Sequence, residues 1–367
     1  MLGHNSWSGY HMEGKEFENI SMEELLALYQ NWTVTNPSKD SIMHTDIWMQ
    51  SATYGIILII WSIVFNSLVI FLCLYSRATR HDSFCIQVVN MSASNMMLSI
   101  LVTTFVVYFD LYYWNLGDLF CKMWIVMDIL LPSVTTCILC QMNLEKFVKL
   151  SRYRISYMPF KRCMIPAIVL TPWLLSIIAV VPIWIEEAVT MPTSPGQCVI
   201  SMSTFGAIST AVITYFIPLL IIITLTLANL INSMKARDES VRNGHILTTS
   251  NGNTPSTFTS YTDSGSFPSS TSKVGGIATL CIVNFLFFAL WFPYHCIGLV
   301  LPLCSAVCIT DPFVINVVAW LGSSTAGVIP LVWLMDSSLK RNFKKCISRI
   351  FRQGSRHAYS MAENIAL

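Results

Sequence analysis

Residues 121–137 read CKMWIVMDILLPSVTTC, an apolar run with a single carboxylate, Asp128, near its middle. In water this would be one buried helix among many. In hydrocarbon it is a membrane crossing with an acid inside it, and the rest of the chain decides between the two. Of 367 residues, 54% are hydrophobic and 11% charged, against about 25% charged in a soluble domain. The charges are also bunched. No Asp, Glu, Lys or Arg falls in 47–76, 83–109, 163–185, 188–234, 274–310 or 312–335, and 123–144 is broken only by Asp128. Each of these seven stretches offers about 20 or more mostly apolar residues, enough for a helix to cross ~30 Å of hydrocarbon. The expected fold is all-α, a seven-transmembrane helix bundle with spans at 50–76, 84–110, 121–150, 163–186, 203–233, 274–301 and 311–335.

Lys and Arg set the orientation. With the N-terminus outside, only Lys15, Lys39 and Lys122 face out, and the other 19 of 22 face the cytoplasm. That is the positive-inside bias of a multi-pass protein, here assigned to the plasma membrane. Twelve of 20 acids lie outside, Glu186 and Glu187 among them, so the net charge of +2 is no sign of a nucleic-acid partner. Residues 1–49 form an extracellular tail with no cleavable-signal pattern. It carries two glycosylation sequons, at Asn19 and Asn31. Within the membrane domain, 50–335, the third cytoplasmic loop at 238–272 is rich in Ser, Thr, Gly, Asn and Pro and is expected to be disordered. In the cytoplasmic segment 336–367, Leu339, Phe343, Ile347, Ile350 and Phe351 recur near helical spacing between basic residues. This predicts a short amphipathic eighth helix against inner-leaflet lipids. Cys346 on it is a lipidation candidate.

A carboxylate is costly in a helix bundle and persists where it faces a cavity or a partner. Asp128 lies about 10 Å below the outer end of its span, deep enough for a pocket open to the outside. No Lys or Arg lies at that depth to pair with it. Its partner is then water, a neighbouring hydroxyl, His295 or a visiting cation. A protonated amine would gain a charge-assisted bond. Aromatic faces at Trp124, Trp291, Phe292, Tyr294 and Trp320 would add cation–π attraction. Pro132 has no N–H for the Asp128 carbonyl and so predicts a kink, which either widens the pocket or is a packing irregularity. Thr210 and Thr214, one turn apart, either meet a ligand's polar end or bond back to their own helix. His295 binds ligand, pairs with Asp128 or simply packs. On the outer side Cys121, Cys198, Cys304 and Cys308 stand where the milieu is oxidising, enough for two bridges.

Several motifs resemble the rhodopsin-like (class A) G-protein-coupled receptors over about 50–352. They are Asn66 in FNSLVI, NMSASNMM at 90–97, Trp173, Pro218, and Trp291 with Pro293 in FFALWFPY. The Cys-x-x-Trp-x-x-x-Asp spacing of CKMWIVMD and the AWLGSSTAGVIPLVW run at 319–333 resemble the biogenic-amine branch. Tyr294 after Pro293 is similar to the muscarinic and histamine receptors. The resemblance implies a receptor for a small cationic amine that signals to a heterotrimeric G protein, with arrestin and receptor kinases as further partners. It implies bridges Cys121–Cys198 and Cys304–Cys308. The activation positions depart from the family. Its Asp/Glu-Arg-Tyr is Glu145-Lys146-Phe147, and its Asn-Pro-x-x-Tyr is Ile329-Pro330-Leu331-Val332-Trp333. Thr226 replaces a tyrosine, Asn95 an aspartate, and Ser323 the tyrosine that bonds the ligand aspartate. Lys273 stands where relatives place an acid, so a charge lock to Lys146 is not expected.

Neither GxSxG, HExxH nor paired intramembrane carboxylates occur, so hydrolase and metalloprotease chemistry lack their parts, and no cofactor or metal is expected. Residues 312–335 hold no lysine for a retinal Schiff base. A transporter would want inverted repeats and broken helices. A receptor-like protein that binds without signalling is the nearer alternative.

Overall fold

Backbone in hydrocarbon has no water to bond, so a crossing segment must close its own hydrogen bonds as helix. The computed structural model describes residues 40–111, 116–151, 164–190, 198, 203–250, 270–303 and 312–348. Among these residues seven helices are long and apolar enough to cross a membrane. They are α1 (Met49–Tyr75), α2 (Ser83–Val107), α3 (Asp118–Leu150), α4 (Ile165–Ile185), α5 (Thr204–Lys235), α6 (Gly276–Val300) and α7 (Asn316–Leu334). Each matches its expected span to within about five residues. An eighth helix, α8, covers 337–348. Asn19, Asn31, Cys304 and Cys308 lie outside the described residues, as do Ile350, Phe351 and the side chain of Lys273.

Two helices run further than their apolar stretches. The helix containing α1 begins at Asp40, and the one containing α5 continues to Ser250. Within 238–272, the described residues 238–250 and 270–272 are helical. Adding a residue to an existing helix costs far less than nucleating one, so a long helix carries polar sequence along with it. Residues 251–269 lie outside the described residues.

α3 is the central strut and packs on α2, α4 and α5, while α1 packs on α2 and α7. Ile57, Ile60, Leu174, Ile178, Leu220 and Phe285 point outward, where lipid replaces water as their solvent. The helix interfaces are held partly by polar side chains. Asn66 Nδ2 donates to Ala326 O (2.8 Å), joining α1 to α7. Trp173 Nε1 donates to Asn90 Oδ1 (3.0 Å), joining α4 to α2. Asn342 of α8 donates to Leu72 O and Thr79 Oγ1 (both 3.1 Å), which fixes α8 beneath α1. Leu339 of α8 is fully buried, as its periodicity implies, and Cys346 is half-buried.

Two wide π-turns interrupt the α-helical pattern, at Leu98–Thr103 and Val212–Phe216. The second lies just before Pro218. Without an N–H, Pro218 leaves the Thr214 carbonyl unpaired in the helix, and the wide turn absorbs the mismatch. In the first, Thr103 Oγ1 donates to Leu98 O (3.4 Å) and Thr104 Oγ1 to Ser99 O (3.3 Å), both five residues back.

Close packing of α1 rests on Gly55. A Cβ there would fall 2.4 Å from Val107 Cγ2 and 2.5 Å from Trp320 Cη2. Gly55→Ala is therefore expected to lower stability by about 1–3 kcal/mol through overpacking. Thermal unfolding of the purified protein in detergent reads it, and an unchanged midpoint would contradict this packing.

Candidate functional site

Asp128 sits ten residues after the start of α3 at Asp118, about 15 Å along the helix. It borders a cavity of about 430 Å³ between α3, α5 and α6, with Val318 closing the α7 side. α3 contributes Asp128, Pro132, Ser133 and Thr136, a stripe at helical spacing. The helix continues through Pro132, and Thr136 Oγ1 takes up the Pro132 carbonyl (2.9 Å). α5 contributes Thr210, Thr214 and Tyr215, and α6 contributes Phe287, Trp291, Tyr294 and His295.

The alternatives for Asp128 now separate. Tyr294 Oη donates to Asp128 Oδ2 (3.0 Å), whereas His295 stacks on the Tyr215 ring at 4.2 Å. One oxygen of the carboxylate is thereby held and Oδ1 is left to the cavity. Tyr215 is itself fixed by donating to Phe288 O (2.7 Å). Thr214 Oγ1 donates to Thr210 O (2.8 Å), the helix-bonded alternative. Its hydrogen is thus used within α5, and only lone pairs face the cavity. Trp291 forms the floor. Its Nε1 donates to Thr325 Oγ1 (3.2 Å), and its ring lies so close to α7 that a Cβ on Gly322 would be 2.8 Å from it.

Three aromatic residues expected at the cavity are elsewhere. Trp124 packs against the Cys121–Cys198 bridge. Trp320 turns toward α1, donating to Ser51 Oγ (2.7 Å) and meeting Tyr54 edge-on. The room left by Gly55 makes this possible. Phe292 lies 50% exposed on the outer face of α6. Ser133, Thr136, Tyr215 and Phe287 line the cavity without having been singled out. The first two follow from Asp128 by helical spacing. Tyr215 does not, because it lies inside the wide turn of α5. The Cys121–Cys198 disulfide joins the top of α3 to the segment before α5, with Cα atoms 5.4 Å apart.

At the end of α3 far from the cavity, the Glu145-Lys146-Phe147 run is tied mainly to α2. Glu145 accepts from Ser83 and Gln87 of α2 and pairs with Lys149, not with Lys146. Lys146 instead places Nζ 4.9 Å from the centre of the Phe84 ring. Phe84 meets Trp333 edge-on at 5.6 Å, and Trp333 and Pro330 are buried. Phe147 is half-buried, and its carbonyl accepts from Ser151 N (2.8 Å).

A family model for the seven-transmembrane receptors of the rhodopsin family matches residues 65–333. A D(1)-like dopamine receptor of Takifugu rubripes is 23% identical over 348 residues, covering 86% of this chain and 74% of the relative. One from Oreochromis mossambicus is 22% identical, covering 89% and 87%. A D(1A) dopamine receptor of Didelphis virginiana is 21% identical, covering 80% and 72%. These relatives are dopamine receptors, so the comparison does not single out the muscarinic and histamine receptors that Tyr294 suggested. A motif match across almost three quarters of the chain, carried on seven membrane-length helices, places it among receptors rather than enzymes: the chain belongs to the rhodopsin family of seven-transmembrane receptors.

Proposed function

We propose that this multi-pass membrane protein binds a small cationic amine from outside and reports its occupancy to a heterotrimeric G protein. The observation that carries the reading is Asp128. It is a carboxylate on an otherwise mostly apolar cavity, held by one tyrosine hydroxyl, with no Lys or Arg among the described residues that line the same space. An ammonium ion at Oδ1 would supply the missing countercharge, and Trp291 and Tyr294 offer ring faces and edges beside it. The volume suits a one- or two-ring molecule. Thr214, presenting lone pairs, favours a hydroxyl or ring N–H at the ligand's far end. The names of the relatives, all dopamine receptors, favour the same ligand class.

Several further assignments belong to this reading. The N-terminus is extracellular and glycosylated at Asn19 and Asn31, on the strength of the Lys and Arg distribution. Cys304–Cys308 forms a second outer bridge, and Cys346 carries a lipid. Lys146, Phe147, Lys273, Pro330 and Trp333 belong to the G-protein-facing end, where arrestin, receptor kinases and inner-leaflet lipids also act. A second reading is a receptor that binds but does not signal. It is favoured by Lys146 resting on the Phe84 ring of α2 and meeting α6 at a glycine, Gly276, which offers no side chain to pair with it. Amine binding with no nucleotide exchange on a panel of G proteins would select it.

Asp128→Asn tests the main reading. Loss of one member of a desolvated charge pair costs roughly 2–5 kcal/mol, so amine affinity should fall by about 30-fold or more at normal surface expression. Unchanged affinity would refute the assignment. In the empty receptor, Tyr294→Phe removes the donor to Asp128 and should cost about 1–3 kcal/mol of stability. Combined with Asp128→Asn it should cost less than the sum of the two single changes, because both remove the same contact. Additive losses in thermal unfolding would show that the pair is not coupled.

A further inference from the structure

We propose that a buried amide clasp, Asn143 with Asn284 and Thr226, is the device that holds the cytoplasmic half of α6 closed against α3 and α5. Asn143 Nδ2 donates to Asn284 Oδ1 (3.2 Å), and Asn284 Nδ2 donates back to Asn143 Oδ1 (3.2 Å). The two amides satisfy each other reciprocally. Thr226 of α5 donates to Asn143 Oδ1 (3.1 Å) and accepts from Asn284 Nδ2 (3.1 Å), closing a three-helix ring. Asn229, one turn further along α5, donates to the Asn143 carbonyl (3.0 Å). Asn143 is 1% exposed and Asn284 5%.

Position gives the clasp its function. Asn284 is seven residues before Trp291, about 10 Å below the cavity floor. Asn143 is three residues before Lys146, just inside the cytoplasmic rim. Outward movement of α6 at that rim has to part this ring. The freed amides would then face hydrocarbon or need water to enter, and either outcome opposes opening. The rim itself supplies another kind of contact. Lys146 Nζ lies 3.1 Å from where a Cβ on Gly276 would stand, so α6 meets this cation with a glycine. Glu145 is committed to α2 and Lys149. Among the described residues, side-chain hydrogen bonds join α6 to α3 at two places, the ligand cavity (Tyr294 to Asp128) and the reciprocal pair of the clasp. The first can respond to a ligand. The second sets how readily the inner half of α6 parts from α3 and α5.

Hydrogen–deuterium exchange on the purified, ligand-free full chain tests this without requiring that the protein signal. Asn284→Leu should raise exchange across 276–288 by roughly threefold or more, while α1 and α4 stay as in the parent. Asn143→Leu should do the same. The double variant should exceed Asn284→Leu by little and fall well short of the sum of the two singles, because Asn284→Leu already removes every clasp bond made by α6, and both singles remove the same two Asn143–Asn284 bonds. If the leucine variants fail to fold, Thr226→Val, which keeps the shape and removes one hydroxyl, should still raise exchange in 276–288 by a smaller factor. Unchanged exchange in a folded variant would overturn the proposal. So would additive effects in the double variant, or a rise spread evenly over all the helices.

Discussion

The cost of an unpaired polar group in hydrocarbon governs this structure. It makes each crossing a helix, because only a helix satisfies its backbone within one segment. It also decides where side chains go. Asn66, Asn90, Asn143 and Asn284 all lie at helix interfaces with bonded partners, while isoleucine, leucine and phenylalanine cover the outside. Asp128 obeys the same rule at its limit. A carboxylate cannot be satisfied by one hydroxyl, and the cavity at its free oxygen is the space in which the remaining partner is proposed to arrive.

Much of this was legible in the sequence, for a physical reason. Charge-free stretches of about 20 residues have few alternatives to crossing a membrane, so span positions followed from composition alone. Asp128, Pro132, Thr210, Thr214, Trp291, Tyr294 and His295 do border one cavity. What one-dimensional spacing missed came from departures from ideal helix and from close approach. The wide turn at Val212–Phe216 brings Tyr215 to the cavity beside Thr214. Gly55 gives the Trp320 indole a seat on α1, so a residue expected at the pocket becomes a packing element. The helix beyond Lys235 could not be read from polar composition, because that composition gives no sign of a helix propagating into it.

The departures from the family pattern are not scattered. Ser323 stands where the family pattern has a tyrosine, and the hydroxyl on Asp128 comes from Tyr294 of α6. A tyrosine is missing at Thr226, and Thr226 joins Asn143 and Asn284. An arginine is missing at Lys146, and the ammonium rests on Phe84, which in turn meets the tryptophan that replaces the last tyrosine of α7. Lysine is a compact point charge without arginine's planar fork, so a ring face suits it better than a bidentate partner. In each case the residue that stands at the departure, or its neighbour, has a partner of its own. The receptor frame survives, with different side chains at its joints.

The central claim is that the ligand of Asp128 carries a positive charge. Its most direct test is equilibrium binding to the purified receptor of 2-phenylethylamine, and of ring-hydroxylated forms of it, each beside the isosteric alcohol in which hydroxyl replaces ammonium. A charge-paired site should bind the best amine at least about 30-fold more tightly than its alcohol. It should lose that preference in Asp128→Asn. Equal affinity for amine and alcohol, or an amine preference that survives the substitution, would contradict the account.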